Sequence, residues 1–186
     1  ESRSEYSEFC LPNDANALGN MLGGHVMHLV DLCGAIAGMR HARSAVVTAS
    51  IDQMTFLHPI HIGELVMLKS QVNRVFRTSM EVGVSVEVEN LVTGEIKHTS
   101  STYLTFVTLD KSGRRVPIPQ VIPETEHEQR RYEQSALRRA ARLERRKSGT
   151  EPHARRPVRL FARLAGLQQF QEIILPHRGP LMRAMP

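Results

Sequence analysis

Val26-Met-His-Leu-Val-Asp-Leu-Cys-Gly-Ala-Ile-Ala-Gly-Met39 decides how the chain folds. Val26, Leu29, Val30, Cys33 and Ala37 recur at the spacing of one helix face. Met27, Leu32, Ala35 and Ile36 fill much of the remaining circumference, so the helix is expected to be buried nearly all round. Gly23-Gly24 leads into it. Arg40, His41 and Arg43 follow, supplying the positive charge that the C-terminal end of a helix dipole favours.

Downstream, residues 46 to 109 read as strands. Val46 to Leu57 is rich in β-branched and apolar residues and stops at His58-Pro59. Gly63 opens the next run, Glu64 to Phe76. In Ser79 to Glu89 the alternation is strict: Met80, Val82, Val84, Val86 and Val88 share one face, and Glu81, Gly83, Ser85, Glu87 and Glu89 the other. Thr93-Gly94 turns the chain into a last strand, Glu95 to Leu109, which ends at Asp110-Lys-Ser-Gly113. Upstream, Ser4 to Cys10 is a further candidate strand, and Leu11 to Asn20 is rich in turn formers. Short connections favour antiparallel pairing. A sheet with one apolar face needs a cover, and the helix is the only candidate. The expected fold is α+β, an antiparallel sheet wrapped around one long central helix, the arrangement called the hotdog fold. No internal repeat is present, so the chain holds one copy of it.

Charge divides the 186 residues. The net value is +5, but residues 1–123 carry 10 basic and 12 acidic side chains, whereas residues 124–186 carry 14 and 7. Residues 1–123 are read as the folded domain. Residues 124–147 are read as a charged helix, with Glu early and Arg late as the dipole favours. Residues 148–186 are read as a linker plus a basic amphipathic tail helix. Leu160, Leu164, Leu167 and Ile174 share a face of that tail, which fits docking on its own or a neighbouring subunit better than lying on a membrane. No run approaches the ~20 apolar residues of a membrane span, and the polar start, Glu1 to Glu8, is unlike a secretory signal. Cys10 and Cys33 are too few for a disulfide framework, which points to a reducing cytoplasm. The nine histidines show no zinc-type spacing such as HExxH, so no metal is expected. Basic charge without a recognition motif or interleaved aromatic residues gives no reason to expect nucleic acid.

Asp31 breaks the apolar pattern of the helix. A carboxylate there is costly unless it is paired, and such residues are often functional; a narrow solvated stripe through His28 and Asp31 explains it as well. Gly23-Gly24 stands where free amides and the positive dipole end could hold an oxyanion, or where a helix simply begins. Asp14-Ala-Asn16 just upstream could join such a site or form a capped turn, the commoner use of such residues. Cys33 faces another side of the helix and fits plain core; His25 and His28 are alternative bases. Together these groups describe an acyl-transfer site without Ser-His-Asp or Cys-His machinery.

Pro12-Asn-Asp-Ala-Asn-Ala-Leu-Gly-Asn20, Gly23-Gly24 and Leu29-Val-Asp-Leu-Cys-Gly-Ala-Ile-Ala37 closely resemble the acyl-CoA thioesterases of the YciA and brain acyl-CoA hydrolase type. Val47-Thr-Ala-Ser-Ile-Asp52, Thr78-Ser-Met-Glu-Val82, Thr102 to Leu109 and Gly113 to Gln120 extend the match, which covers roughly residues 5–147. The resemblance implies hydrolysis of acyl-CoA to fatty acid and CoA. It implies a catalytic Asn and Asp contributed across a dimer interface, mapping onto Asn16 and Asp31. Gly23 and Gly24 amides would polarise the thioester, and no metal or cofactor would be needed beyond CoA as part of the substrate. Arg77, Thr78 and Ser79, with Arg40 and Arg114 as weaker candidates, would contact CoA. A homodimer, assembling further into a trimer of dimers, is implied as well. Leu22 stands where the family often has His or Phe. A binding or sensing module without turnover is the competing reading. A hotdog hydratase or dehydratase is a third; those use a His-containing dyad, and the Asp14-Ala-Asn16 plus Asp31 pattern counts against it.

Overall fold

A computed structural model describes residues 2–148. Five strands, a three-residue helical turn and two helices follow in the order β1 (Arg3–Phe9), the turn Pro12–Asp14, α1 (Gly23–Ala42), β2 (Ala45–Ile51), β3 (Leu65–Phe76), β4 (Ser79–Asn90), β5 (Glu95–Leu109) and α2 (Glu126–Lys147). The linker and tail expected beyond Ser148 lie outside the described residues.

The strands form one antiparallel sheet in the order β1-β3-β4-β5-β2. Each hairpin follows from local chemistry. Arg77 adopts φ 57° in the two-residue turn between β3 and β4, and Gly94 adopts φ 73° in the turn before β5. β2 returns to the far edge and pairs with β5, where one extra residue between Thr48 and Ser50 shifts the register. Such a bulge re-aims side chains locally.

α1 crosses the concave side of this sheet, as the hotdog fold requires. Its buried residues, Val26, Leu29, Val30, Cys33, Gly34, Ala37 and Gly38, form a single helical stripe. They meet Val66, Leu68, Met80, Val82, Val86, Leu104 and Phe106, all nearly inaccessible. Glycine sets the approach distance at one position in particular. A Cβ on Gly34 would stand 3.2 Å from the Phe106 ring, so the bare backbone lets helix and sheet close together.

Three sequence expectations change. Burial all round α1 is not what the single chain shows: Met27 and Leu32 stay exposed, because a sheet can cover only one side of a helix. β2 ends at Ile51 rather than Leu57. Beyond it the chain still follows β5 irregularly, through the Asp52 amide to the Tyr103 carbonyl and the Leu57 amide to the Thr99 carbonyl (both 2.9 Å) together with side-chain bonds such as Thr102 Oγ1 to the Asp52 carbonyl (3.2 Å) and Ser100 Oγ to the Thr55 carbonyl (2.9 Å). Glu81, placed by alternation on a polar face, is wholly buried.

α2 explains that burial. Thr125 caps it and Glu128 completes the capping box. Arg138 donates to Glu81 (2.6 Å) while lying 3.6 Å above the Tyr103 ring, and Arg142 bridges Glu81 (2.9 Å) and Asp52 (2.6 Å). Arg74 sits over both Tyr132 and Phe76. The charged helix is therefore docked on the outer face of the sheet by desolvated ion pairs and cation–π contacts.

Candidate active site

Asp31 lies midway along α1, half-buried beside the exposed stripe. Thr48 on β2 donates its hydroxyl to Asp31 Oδ1 at 2.6 Å. The bulge immediately after Thr48 is what sets this residue against the helix. One carboxylate oxygen is thus fixed and the other remains for a ligand or water. Thr48 escaped the reading of single residues because a Thr within a β-branched run looks like ordinary strand.

Asn16 is exposed on the loop that precedes α1. Its Oδ1 accepts the Leu18 and Asn20 amides at 2.9 and 3.2 Å. Gly19, at φ 76°, closes the turn by donating to the Asn16 carbonyl. The side-chain oxygen is therefore spent on the turn, leaving the Nδ2 amino group as the part able to meet a ligand. Among the described residues no hydrogen bond joins Asn16 to Asp31.

Gly23 and Gly24 are the first residues of α1, and the preceding Leu22 offers no capping side chain. Their amides belong to the set that no helix satisfies internally. The Phe56 ring lies 3.4 Å from where a Gly23 Cβ would be, whereas Gly24 has open space. Phe56 is carried by the stretch that follows Thr48 and Asp52, so one segment supports Asp31 and covers the helix start.

Other candidates separate. Cys33 is inaccessible, bonded to Ser70 Oγ at 3.3 Å, and burial pushes its thiol pKa up, so it is core and no nucleophile. His25 Nε2 stands 3.1 Å from Glu8 Oε1 and its Nδ1 3.7 Å from Asp14 Oδ1. Arg77 and Thr78 form the β3–β4 turn and Ser79 begins β4, accepting a bond from Arg139 (3.2 Å). Arg40 is 17 residues along α1 from Gly23, about 25 Å at helical rise, and donates to the Arg3 carbonyl at 3.4 Å. Arg114 is held by Asp110 at 3.3 Å. The single chain gathers neither Arg40 nor Arg114 at the helix start. Two cavities of about 300 and 430 Å³ lie along β1, β3 and α2; neither is lined by Asn16, Gly23, Gly24 or Asp31.

A sheet curled on a helix that carries a threonine-anchored aspartate defines the class: the thioesterase superfamily, whose family model matches residues 18–106. An uncharacterised acyl-CoA thioester hydrolase of Bacillus subtilis, YkhA, is 42% identical over 128 residues, covering 69% of this chain and 74% of that one. A crystal structure of an apo-hexameric acyl-CoA thioesterase is 44% identical with a TM-score of 0.75, covering 77% of this chain and 92% of the other. The Staphylococcus aureus acyl-CoA hydrolase in complex with coenzyme A is 33% identical with a TM-score of 0.75, covering 84% and 95%. That protein was studied as three alanine variants, one at an asparagine, one at an aspartate and one at a threonine. The chain belongs to the acyl-CoA thioester hydrolase family.

Proposed function

We propose that the chain hydrolyses acyl-CoA thioesters to a fatty acid and free CoA. The observation that carries this reading is the Thr48–Asp31 bond, which fixes a carboxylate midway along the helix that begins at Gly23-Gly24. A parallel supports it: the asparagine, aspartate and threonine replaced in the Staphylococcus enzyme are spaced by the same intervals as Asn16, Asp31 and Thr48.

Asp31 acts as general base, taking a proton from water through the oxygen that Thr48 leaves available. The resulting hydroxide attacks the thioester carbonyl. Gly23 and Gly24 amides, with the positive end of the α1 dipole, stabilise the oxyanion, and Asn16 Nδ2 orients water or carbonyl. Collapse expels CoA as a thiolate, a good leaving group because a thiol is a far stronger acid than water. The protein supplies every group in this sequence, so the step needs no metal or cofactor.

The site is completed by a second subunit. Met27 and Leu32 are exposed on α1 on either side of Asp31, and β2 is a sheet edge. Open edges and apolar stripes call for a partner, and a second copy of the chain covers both. It also brings its own Asn16 loop to Asp31, in keeping with the lack of a hydrogen bond between the two within one chain among the described residues. Trimers of such dimers, and CoA contacts from Arg77, Thr78 and Ser79, complete the proposal. The buried, unpaired Cys10 and Cys33 fit a reducing, cytoplasmic setting.

Free-thiol release from acyl-CoAs of graded chain length tests the reaction. Turnover on at least one length is expected, with the Thr48→Ala rate reduced at least ~10-fold through loss of orientation. CoA binding without release at any length would instead establish a binding module.

A further inference from the structure

We infer that Glu8, Asp14 and His25 form a divalent-cation site beside the start of α1. The three residues come from β1, the helical turn and α1, and one ligand atom from each lies within 4.8 Å of the others. Their sequence separations follow no metal-binding spacing, which is why the histidine pattern alone does not reveal them.

The electrostatics of the cluster are unlike those around it. Elsewhere the carboxylates that converge are met by arginine: Glu81 by Arg138 and Arg142, Asp52 by Arg142, Glu128 by Arg3. Around Glu8 and Asp14 the only basic groups within ion-pair distance, among the described residues, belong to the imidazole of His25. In the metal-free arrangement the ring bridges the two carboxylates, Nε2 toward Glu8 and Nδ1 toward Asp14, and Tyr6 donates its hydroxyl to Glu8.

Geometry and donor type select the ion. Zinc–nitrogen and zinc–oxygen bonds of ~2.0–2.2 Å place tetrahedral ligand atoms about 3.4 Å apart. The cluster must contract by about an ångström from its present spread, a movement open to side chains that are 30%, 19% and 26% exposed. One imidazole nitrogen with two carboxylate oxygens suits zinc, cobalt, nickel or manganese better than the all-oxygen sites of calcium and magnesium. Water fills the remaining coordination positions.

The site would fasten three segments that frame the proposed active site. The Asp14 carboxylate already accepts the Leu11 amide at 3.2 Å, and its carbonyl accepts the Leu22 amide at 2.8 Å, directly before Gly23. The Asn16 loop runs between these anchors. The ion takes no part in the chemical step; it holds the loop that carries Asn16.

Binding is read without substrate, so it stands or falls apart from the hydrolase reading. The tag-free full-length chain, stripped with chelator, is titrated with Zn²⁺ by calorimetry and with Co²⁺ by visible absorption. One ion per chain, a cobalt band and a raised melting temperature are expected. His25→Ala and the near-isosteric Glu8→Gln should each weaken binding at least ~10-fold, while His98→Ala, outside the cluster, should leave it unchanged. Absence of stoichiometric binding, or full binding by a folded His25→Ala or Glu8→Gln variant, would overturn the proposal.

Discussion

Glu81→Gln removes the charge of the carboxylate on which Arg138 and Arg142 converge. Glu81 is wholly inaccessible, and the side chains of Arg138 and Arg142 are 21% and 13% exposed. Breaking a buried ion pair by removing one partner costs roughly 3–5 kcal/mol, because the other charge stays desolvated. Here the loss is partial in kind. Arg142 keeps Asp52 at 2.6 Å, and Arg138 keeps the Tyr103 ring at 3.6 Å and some water. The lower end, about 3 kcal/mol, is therefore expected. At ~2–4 °C per kcal/mol for a chain of this size, the melting temperature should fall by about 6–12 °C. Glu87→Gln serves as the control. Its partner Lys69 is 54% exposed, and a pair of that kind contributes less than ~1 kcal/mol. Urea unfolding of both variants at one protein concentration, monitored by far-UV circular dichroism, measures the difference. If Glu81→Gln unfolded within ~1 kcal/mol of wild type, as Glu87→Gln should, the view of α2 as a helix docked through desolvated charge would be wrong.

Three further outcomes are expected. The bond from the Glu124 amide, helped by Arg3, Gln71 and Thr125, holds the Glu128 carboxyl down at about 2, below its ordinary 4.5. A depressed carboxylate stabilises the fold above its unfolded pKa and loses that contribution as pH falls; acid titration should show a loss between pH 4.5 and 2 that shrinks in Glu128→Gln. Gly34→Val drives a branched side chain into the Phe106 ring and Val84, both nearly inaccessible, and should cost ~1–3 kcal/mol in the same urea assay. Inactive Asn16→Ala and Asp31→Ala chains, unfolded and refolded together, should recover about a quarter of wild-type turnover. Half the random dimers are mixed, and each mixed dimer holds one intact composite site. No recovery would place both residues in one subunit's site.

The sequence makes some of this legible and hides the rest for identifiable reasons. Strict alternation in β4 and the helical stripe of α1 are local patterns, so both elements and their packing follow from residue spacing. Asp31 stands out because a carboxylate within an apolar stripe is costly. Thr48 does not stand out, since β-branching is what a strand favours, and its role depends on a bulge that no pattern announces. Glu81 and Arg138 look like a polar strand face and a solvated helix; their pairing joins positions 57 residues apart. The overrun of β2 has a similar origin. Residues 52–57 keep strand-like composition, but Arg142 takes the Asp52 side chain, and between the Asp52 and Leu57 amide bonds to β5 serine and threonine hydroxyls make up for a regular ladder. Glu8, Asp14 and His25 meet through tertiary folding alone.

The central claim is that Asp31, oriented by Thr48, generates the nucleophile that cleaves an acyl-CoA thioester. The most direct test is kcat for free-thiol release by Asp31→Asn beside wild type, at saturating acyl-CoA of the preferred length. The substitution keeps the shape and the acceptor for Thr48 while abolishing the base. A fall of ~10²–10⁴ in kcat with KM little changed is the predicted result. Undiminished turnover by a folded Asp31→Asn protein would contradict it.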